Sequence, residues 1–297
     1  MTISLKKKNV FFTSNYKTGA ELEIRLFSDL HLEFDDSFVI PNLKPDQVVI
    51  LAGDIHVKWR GIPWIKTILE KGNHVVYVDG NHEYFGTTID KVRKAYNALA
   101  AEYENFHYLN DSSVFINNVE FLGGVLWTDM NKENPHVYTA LGAKRFDRYS
   151  DEGVWDYRKI YLKRPSAGIN GGDVYNVLKT KDTVQFHKKT VSYLKSRAGK
   201  HPVQFVVTHH TPNELFLSHK RRSMKLKVHD YAYFTDLHYL ANQFDYWAAG
   251  HTHKKVVEKV DNVWYLSNPR GYSDTKKPDE DLVDDFEPNF VFKIKTA

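Results

Sequence analysis

Five short apolar runs in this 297-residue chain end on residues that can hold a metal ion or move a proton. "ELEIRLF" leads into Asp29 and His31, "VVILAG" into Asp54, and "VVYVDG" into Asn81 and His82. "VQFVVT" leads into His209 and His210, and "YWAAG" into His251 and His253. Taken singly, each fits a polar turn at a strand end. His251 and His253 alone suit a loop with two solvated imidazoles as well as a metal site; strand alternation would put them on one face, about 7 Å apart. Together the residues offer the donor mixture that two neighbouring divalent ions need: a carboxylate to bridge, oxygen and imidazole ligands, and open positions for water and substrate. Such a pair polarises a phosphoryl group and brings the pKa of a bound water near neutrality.

Composition narrows the chemistry. The chain has no cysteine, so any ion must be held by His, Asp, Glu or Asn, and neither a disulfide framework nor a thiolate site exists. Hydrophobic residues make up 42% and charged residues 26%, ordinary globular values with material for a core. The net charge of +4 suits an anionic substrate and falls short of a dedicated nucleic-acid scaffold. The opening "MTISLKKKNVFFTSNYKTG" lacks the apolar stretch of a signal peptide, and no run reaches the roughly 18 apolar residues of a membrane span. A cytoplasmic protein without a membrane partner is the expectation. Oligomeric state leaves no mark on the sequence.

The elements that must position these residues follow from the hydrophobic pattern. Strands are expected over 21–29, 46–54, 74–83, 202–210 and 245–251, the second and third as buried runs. Helices are expected over 61–72, with Pro near its start, over 87–104, with a threonine N-cap, over 182–198 and around 233–243. Residues 113–127 read as a hairpin turning at Asn117-Asn118, 254–272 as a second hairpin, and 289–295 as a last strand. Residues 131–180 are polar with little periodicity and read as an insertion over the sheet within one domain spanning 1–297. Strand and helix alternation fits an α/β fold.

The ordered set "SDLH", "AGD", "GNHE", a later His, and "GHTH" resembles the calcineurin-like metallophosphoesterase superfamily, with all five blocks present between about residues 24 and 271. "FSDLHLEF", "LAGDIHVKWRG", "VDGNHEYFG", "LWTD", "VVTHHTP" and "NPRGY" also resemble a bacterial and phage branch of it. The resemblance implies a four-layer αββα sandwich of two mixed β-sheets flanked by helices. It implies a first metal on Asp29, His31, Asp54 and His253, and a second on Asp54 as the bridge, Asn81, His209 and His251. Two divalent ions are implied, Mn foremost, with Fe, Zn, Ni, Co or Mg as alternatives. Attack would come from a metal-bridging hydroxide, with Asp54 and His82 as catalytic residues and His82 facing the substrate. His209 matches the ligand position better than His210, which would then support it.

Further residues have weaker claims. Arg270 is a candidate phosphate fork or a structural residue closing the sheet. His56 and His210 are candidates for substrate contact, and Glu83 reads as a structural loop carboxylate. The basic, aromatic stretch 143–164 could stack a base or merely cover a sheet edge, and the basic run 220–227 reads as a solvated face. "GDIHVKWRG" lacks the Val-Asp-Arg-Gly string that follows Gly-Asp in phosphoprotein phosphatases of the superfamily. The expected activity is therefore hydrolysis of a phosphodiester or phosphomonoester of a nucleotide-like small molecule. An RNA or DNA end-processing nuclease or phosphatase is the alternative, and a metal-bound scaffold the non-enzymatic one.

Overall fold

The computed structural model describes residues 11–12, 20–143, 153–165, 173–218, 226–272 and 285–296. The strands are β1 (Phe11–Phe12), β2 (Glu21–Phe27), β3 (Val48–Ala52), β4 (Val75–Val78), β5 (Thr87–Thr88), β6 (Phe106–Tyr108), β7 (Ser112–Ile116), β8 (Val119–Gly124), β9 (Ile160–Pro165), β10 (Asp173–Val177), β11 (Gln204–Thr208), β12 (Tyr246–Ala248), β13 (Val256–Val260), β14 (Val263–Ser267) and β15 (Phe292–Lys295). The helices are α1 (Ile62–Leu69), α2 (Ile89–Glu102), α3 (Pro135–Leu141), α4 (Asp156–Lys159), α5 (Thr180–Arg197) and α6 (His238–Ala241). Met130–Glu133 forms one turn with φ between 53° and 60°, wound left-handed.

Two mixed sheets face each other. One runs β15-β2-β3-β4-β6, parallel except for β15; the other runs β1-β7-β8-β11-β12-β14-β13. In β3, Val48, Ile50 and Ala52 point between the sheets, where they meet Phe121, Phe205, Val207, Ala248 and Leu266. Val49 and Leu51 point the other way, onto Ile65, Ile68 and Leu69 of α1 and Val92, Tyr96 and Leu99 of α2. Both faces of the strand are covered, which is why it reads as an unbroken apolar run. On the far side, Val191 and Leu194 of α5 and Leu240 of α6 cover Leu122, Val206, Trp247 and Tyr265. Helix, sheet, sheet and helix make the expected four layers.

Local chemistry sets the boundaries. Thr88 caps α2 by accepting from the Lys91 N–H. Asn117 and Asn118 both take positive φ, 49° and 60°, as a two-residue turn between antiparallel strands requires. Two expectations are corrected. Residues 131–180 are not short of regular structure: they supply α3, α4 and a hairpin, β9 with β10, that joins β5 in a third sheet. All five residues of β10 are exposed, so no burial pattern is written into them. Residues 144–152 and 166–172 of that segment, most of the basic run 220–227 and much of the acidic tail lie outside the described residues. The helix expected around 233–243 is only His238–Ala241, because Thr211 takes the backbone of Tyr233 and Thr235 into a strand-like bridge.

Two polar features give measurable consequences. Glu120, fully buried in β8, is gripped by Arg197 of α5 through Nε at 2.9 Å and Nη2 at 2.5 Å, and by Gln204 Nε2 at 2.8 Å. Arg197→Ala strands a buried carboxylate and should destabilise the protein by about 3 kcal/mol, read as a lowered denaturant midpoint. His74 Nδ1 lies 2.9 Å from His107 Nε2, and burial, then the neighbouring His74 charge, pushes His107 down to about 3. The unfolded chain therefore takes up that proton first, and stability should fall as pH drops below about 6.5. His107→Gln should show a shallower loss between about pH 6.5 and 4 in urea melts.

Candidate metal centre

Parallel strands deliver their carboxyl ends to one edge of the sandwich. β2, β3 and β4 bring Asp29 with His31, Asp54, and Asn81 with His82; β11 and β12 bring His209 with His210, and His251 with His253. The chain turns abruptly there. Asp29, His31, Asp54, His251 and His253 all have positive φ, between 45° and 68°. Each such non-glycine residue costs on the order of 1–3 kcal/mol unless its surroundings hold it. The holding bonds are Asp29 N to Gly53 O and His31 N to Asp54 O, both 3.0 Å, and His251 N to Asp29 Oδ1 at 2.9 Å. His251 and His253 thus sit in a loop beyond β12, which corrects the strand alternation expected for them. Two glycines make the crowding feasible. Gly53 has φ +84° and a Cβ there would lie 2.4 Å from His209 Nδ1; at Gly250 one would lie 2.7 Å from Asp29 Oδ2.

The donor atoms fall into two groups. Asp29, His31 and His253 each present an atom within 4.8 Å of the others, and so do Asp54, His209 and His251. Asp54 Oδ2 is 3.9 Å from His31 Nε2 and 3.4 Å from His209 Nε2, so it stands between the groups. Asn81 Oδ1 joins the second group, 3.0 Å from His209 Nε2.

The hydrogen bonds test whether a cation fits. His209 Nδ1 is 2.9 Å from the Ala52 carbonyl, which only accepts, so Nδ1 carries the proton. Nε2 is left to face Asn81 Oδ1 and Asp54 Oδ2, and in a neutral His209 it turns a lone pair toward them. His31 repeats the pattern: Nδ1 faces Glu33 Oε1 at 3.2 Å and Nε2 faces His253 Nε2 at 3.1 Å. Asp29 Oδ2 is buried with no hydrogen-bond partner. Oxygen and imidazole donors converge in both groups, and the buried carboxylates among them favour positive charge there. The protonation balance says the same. Burial works against charging His209, yet Asp54 and Asp29 lift it to about 10. His253 is driven down to about 3 by burial and then by His31, and His251 is depressed by burial and by His210 and His209. Divalent ions on imidazole and carboxylate donors fit both groups.

His82 stands beside the two groups. Its N–H donates to Asp54 Oδ1 at 2.8 Å, its Nδ1 lies 3.0 Å from Glu33 Oε1, and its Nε2 lies 3.4 Å from the Tyr272 hydroxyl. Burial opposes its protonation, but Asp54 and Glu33 together raise its pKa. Glu33, which sequence reasoning passed over, serves His31 and His82 at once. Burial would raise its carboxyl, but hydrogen bonds from the two imidazoles hold it at about 2. Its signal was its place two residues after His31. Glu83 accepts from the backbone N–H groups of Asp54, Ile55, His56 and Gly80, and so shapes the Asp54 loop, in line with a structural carboxylate.

The remaining candidates are spread unevenly. His210 is buried, bonds the Val125 carbonyl and packs on the candidate ligand His251 at 4.2 Å between ring centroids. His56 is 3.8 Å from Glu33, at the rim of the site. Arg270 is engaged elsewhere: Nη1 donates to Asp35 O at 3.0 Å, Nη2 pairs with the Asp35 carboxylate, and the guanidinium lies over Phe38. Its fork is taken by a residue 235 positions away, which corrects the phosphate contact in favour of the structural reading. Asp156, also unforeseen, reaches in from the 131–180 segment and accepts from Asn81 Nδ2 at 2.9 Å. Tyr272 lays its ring 4.4 Å from His31 and 4.8 Å from His253.

No helix among the described residues is long and apolar enough to cross a membrane. No curated protein matches the chain. Among solved structures, the phosphopantetheinyl hydrolase of Mycobacterium tuberculosis aligns with a TM-score of 0.58 at 15% identity, over 86% of this chain and 91% of that one. That likeness concerns the fold. A 5′-nucleotidase precursor from Thermus thermophilus aligns at 0.39 and 11% identity, over 84% of this chain and 48% of that one. A dimetal phosphatase from Danio rerio aligns at 0.37 and 12% identity, over 83% and 86%. A family model described as calcineurin-like phosphoesterase matches residues 22–255. With all five of its ligand-bearing blocks inside that span, the chain belongs to the calcineurin-like phosphoesterases, metal-dependent hydrolases of phosphoric esters.

Proposed function

We propose that this protein hydrolyses a phosphoester of a nucleotide-like small molecule on two divalent ions, manganese foremost. Asp29, His31, Asp54 and His253 would hold one ion, and Asp54, Asn81, His209 and His251 the other. The observation that carries this reading is the position of Asp54 Oδ2 between two groups of candidate ligand atoms. Bound there, the ions would polarise a phosphoryl oxygen and acidify a water.

The chain's own residues do the rest. His82, buried but with its pKa raised by Asp54 and Glu33, would donate from Nε2 to a phosphoryl oxygen or the leaving group. Glu33 binds Nδ1 and fixes which nitrogen faces outward. Aromatic faces gather around it: Phe85 packs on His82 at 4.3 Å, Tyr272 on His31, and the half-exposed Phe34 on Tyr272 at 5.4 Å. These rings, with Lys159 over Phe85 at 5.3 Å, offer a base a stacking surface and a phosphate a cation.

Hydrolysis of bis-p-nitrophenyl phosphate with Mn²⁺ should vanish in Asp54→Asn, and His82→Ala should lower kcat by about 10²–10⁴-fold with metal content retained. A protein that takes up no divalent metal and turns over no phosphoester would sink the proposal. His253→Ala should weaken the ion at Asp29 and His31, and His251→Ala the ion at Asn81 and His209, each by about 10–100-fold in titrations with Mn²⁺. Equal loss of both ions from each variant would count against the assignment. A panel of mononucleotides, dinucleotides, cyclic nucleotides and labelled oligonucleotides decides the substrate. Preference for oligonucleotides, with activity falling steeply in salt, would favour the nuclease alternative.

A further inference from the structure

Asn81 is unlike the other candidate ligands, because a carboxamide has two ends of nearly equal shape and opposite polarity. Its oxygen must face a cation; its NH₂ would repel one. The side chain beside it selects between them. Asp156 is buried, and its Oδ1 lies 2.9 Å from Asn81 Nδ2. An ionised carboxylate only accepts, so it can partner only the NH₂ end and leaves Oδ1 turned toward His209.

The placement of Asp156 is built rather than incidental. It opens α4, and the next residue, Tyr157, bonds Thr183 of α5 through its hydroxyl at 3.0 Å. Three residues on, the Lys159 carbonyl accepts from Gly86 N at 2.7 Å, and Ile160 and Tyr161 pair with Thr87 and Thr88. The strand carrying the 131–180 segment is therefore sewn to the loop that directly follows Asn81 and His82. Asp156 belongs to neither donor group.

We propose that Asp156 is a positioning residue for the second ion: it locks the Asn81 carboxamide oxygen-inward, so that occupancy of the Asn81, His209 and His251 site depends on a side chain from the inserted segment. This rests on the two-ion reading above.

The test is titration of the metal-free full-length protein with Mn²⁺ alone, followed by calorimetry and by electron paramagnetic resonance, which separates coupled ion pairs from single ions. Wild type should bind two ions and give a coupled signal. Asp156→Ala should bind the second ion about 10–100-fold more weakly and give an isolated-ion signal at one equivalent, with the first ion unchanged. Asp156→Asn, which keeps an accepting oxygen but can also turn its NH₂ to Asn81, should recover only part of that affinity. Tyr157→Phe, which loosens the same segment without touching Asn81, should bind as wild type does. The positioning role is overturned if Asp156→Ala binds both ions normally, if it loses both equally, or if Asp156→Asn is as weak as the alanine variant. It is also overturned if Tyr157→Phe matches the alanine variant. Wild type binding no Mn²⁺ would instead overturn the two-ion reading and this inference with it.

Discussion

His209 donates from Nδ1 to a backbone carbonyl and turns Nε2 toward a carboxylate and a carboxamide oxygen, all inside a buried pocket. Buried carboxylates in a poorly solvated site draw positive charge toward themselves, and Asp54 and Asp29 do so by lifting His209 to about 10. The His31 and His253 nitrogens meet 3.1 Å apart in the neighbouring group. Acids and imidazoles buried this close together persist only where the scaffold is stiff enough to hold them. Rigidity here comes from two sheets whose strands are buried on both faces and whose ends are pinned to one another by backbone bonds. The left-handed candidate ligands extend the same logic into the chain itself: their local strain is held by the core.

The site is also divided by its construction. The five-stranded sheet supplies the carboxylates, the carboxamide and His31; the seven-stranded sheet supplies His209, His251 and His253. Neither sheet alone supplies all of either donor group. The catalytic candidate His82 lies on the carboxylate side, next to Asp54, where negative charge favours its protonation.

Much of this was legible in the sequence, for a physical reason. A parallel strand covered on both faces, such as Val48–Ala52, must be apolar throughout, and its carboxyl end is where the chain first meets solvent and chemistry. The run and the ligand after it are therefore written side by side. What was not legible depended on partners far along the chain. Arg270 looked like a free fork because Asp35, which occupies it, lies 235 residues earlier. Asp156 sits in a polar stretch without periodicity, and its meaning comes only from Asn81, 75 residues away. The hairpin of β9 and β10 escaped notice because an exposed strand has no buried face to encode. His251 and His253 were found by type and spacing, but their loop geometry came from tertiary bonds.

The division of donors between the sheets bears on when the protein can acquire its metals. His31 and His253 are 222 residues apart, and Asn81 and His209 are 128 apart. In an unfolded chain such distant donors rarely meet, since closing loops of that length is entropically unfavourable, and the close pair Asp29 and His31 offers only part of a set. A full set of donors exists only once both sheets have formed and docked. Metals could not template this fold as they do in small zinc modules; they would clasp the open edge of a sandwich already assembled.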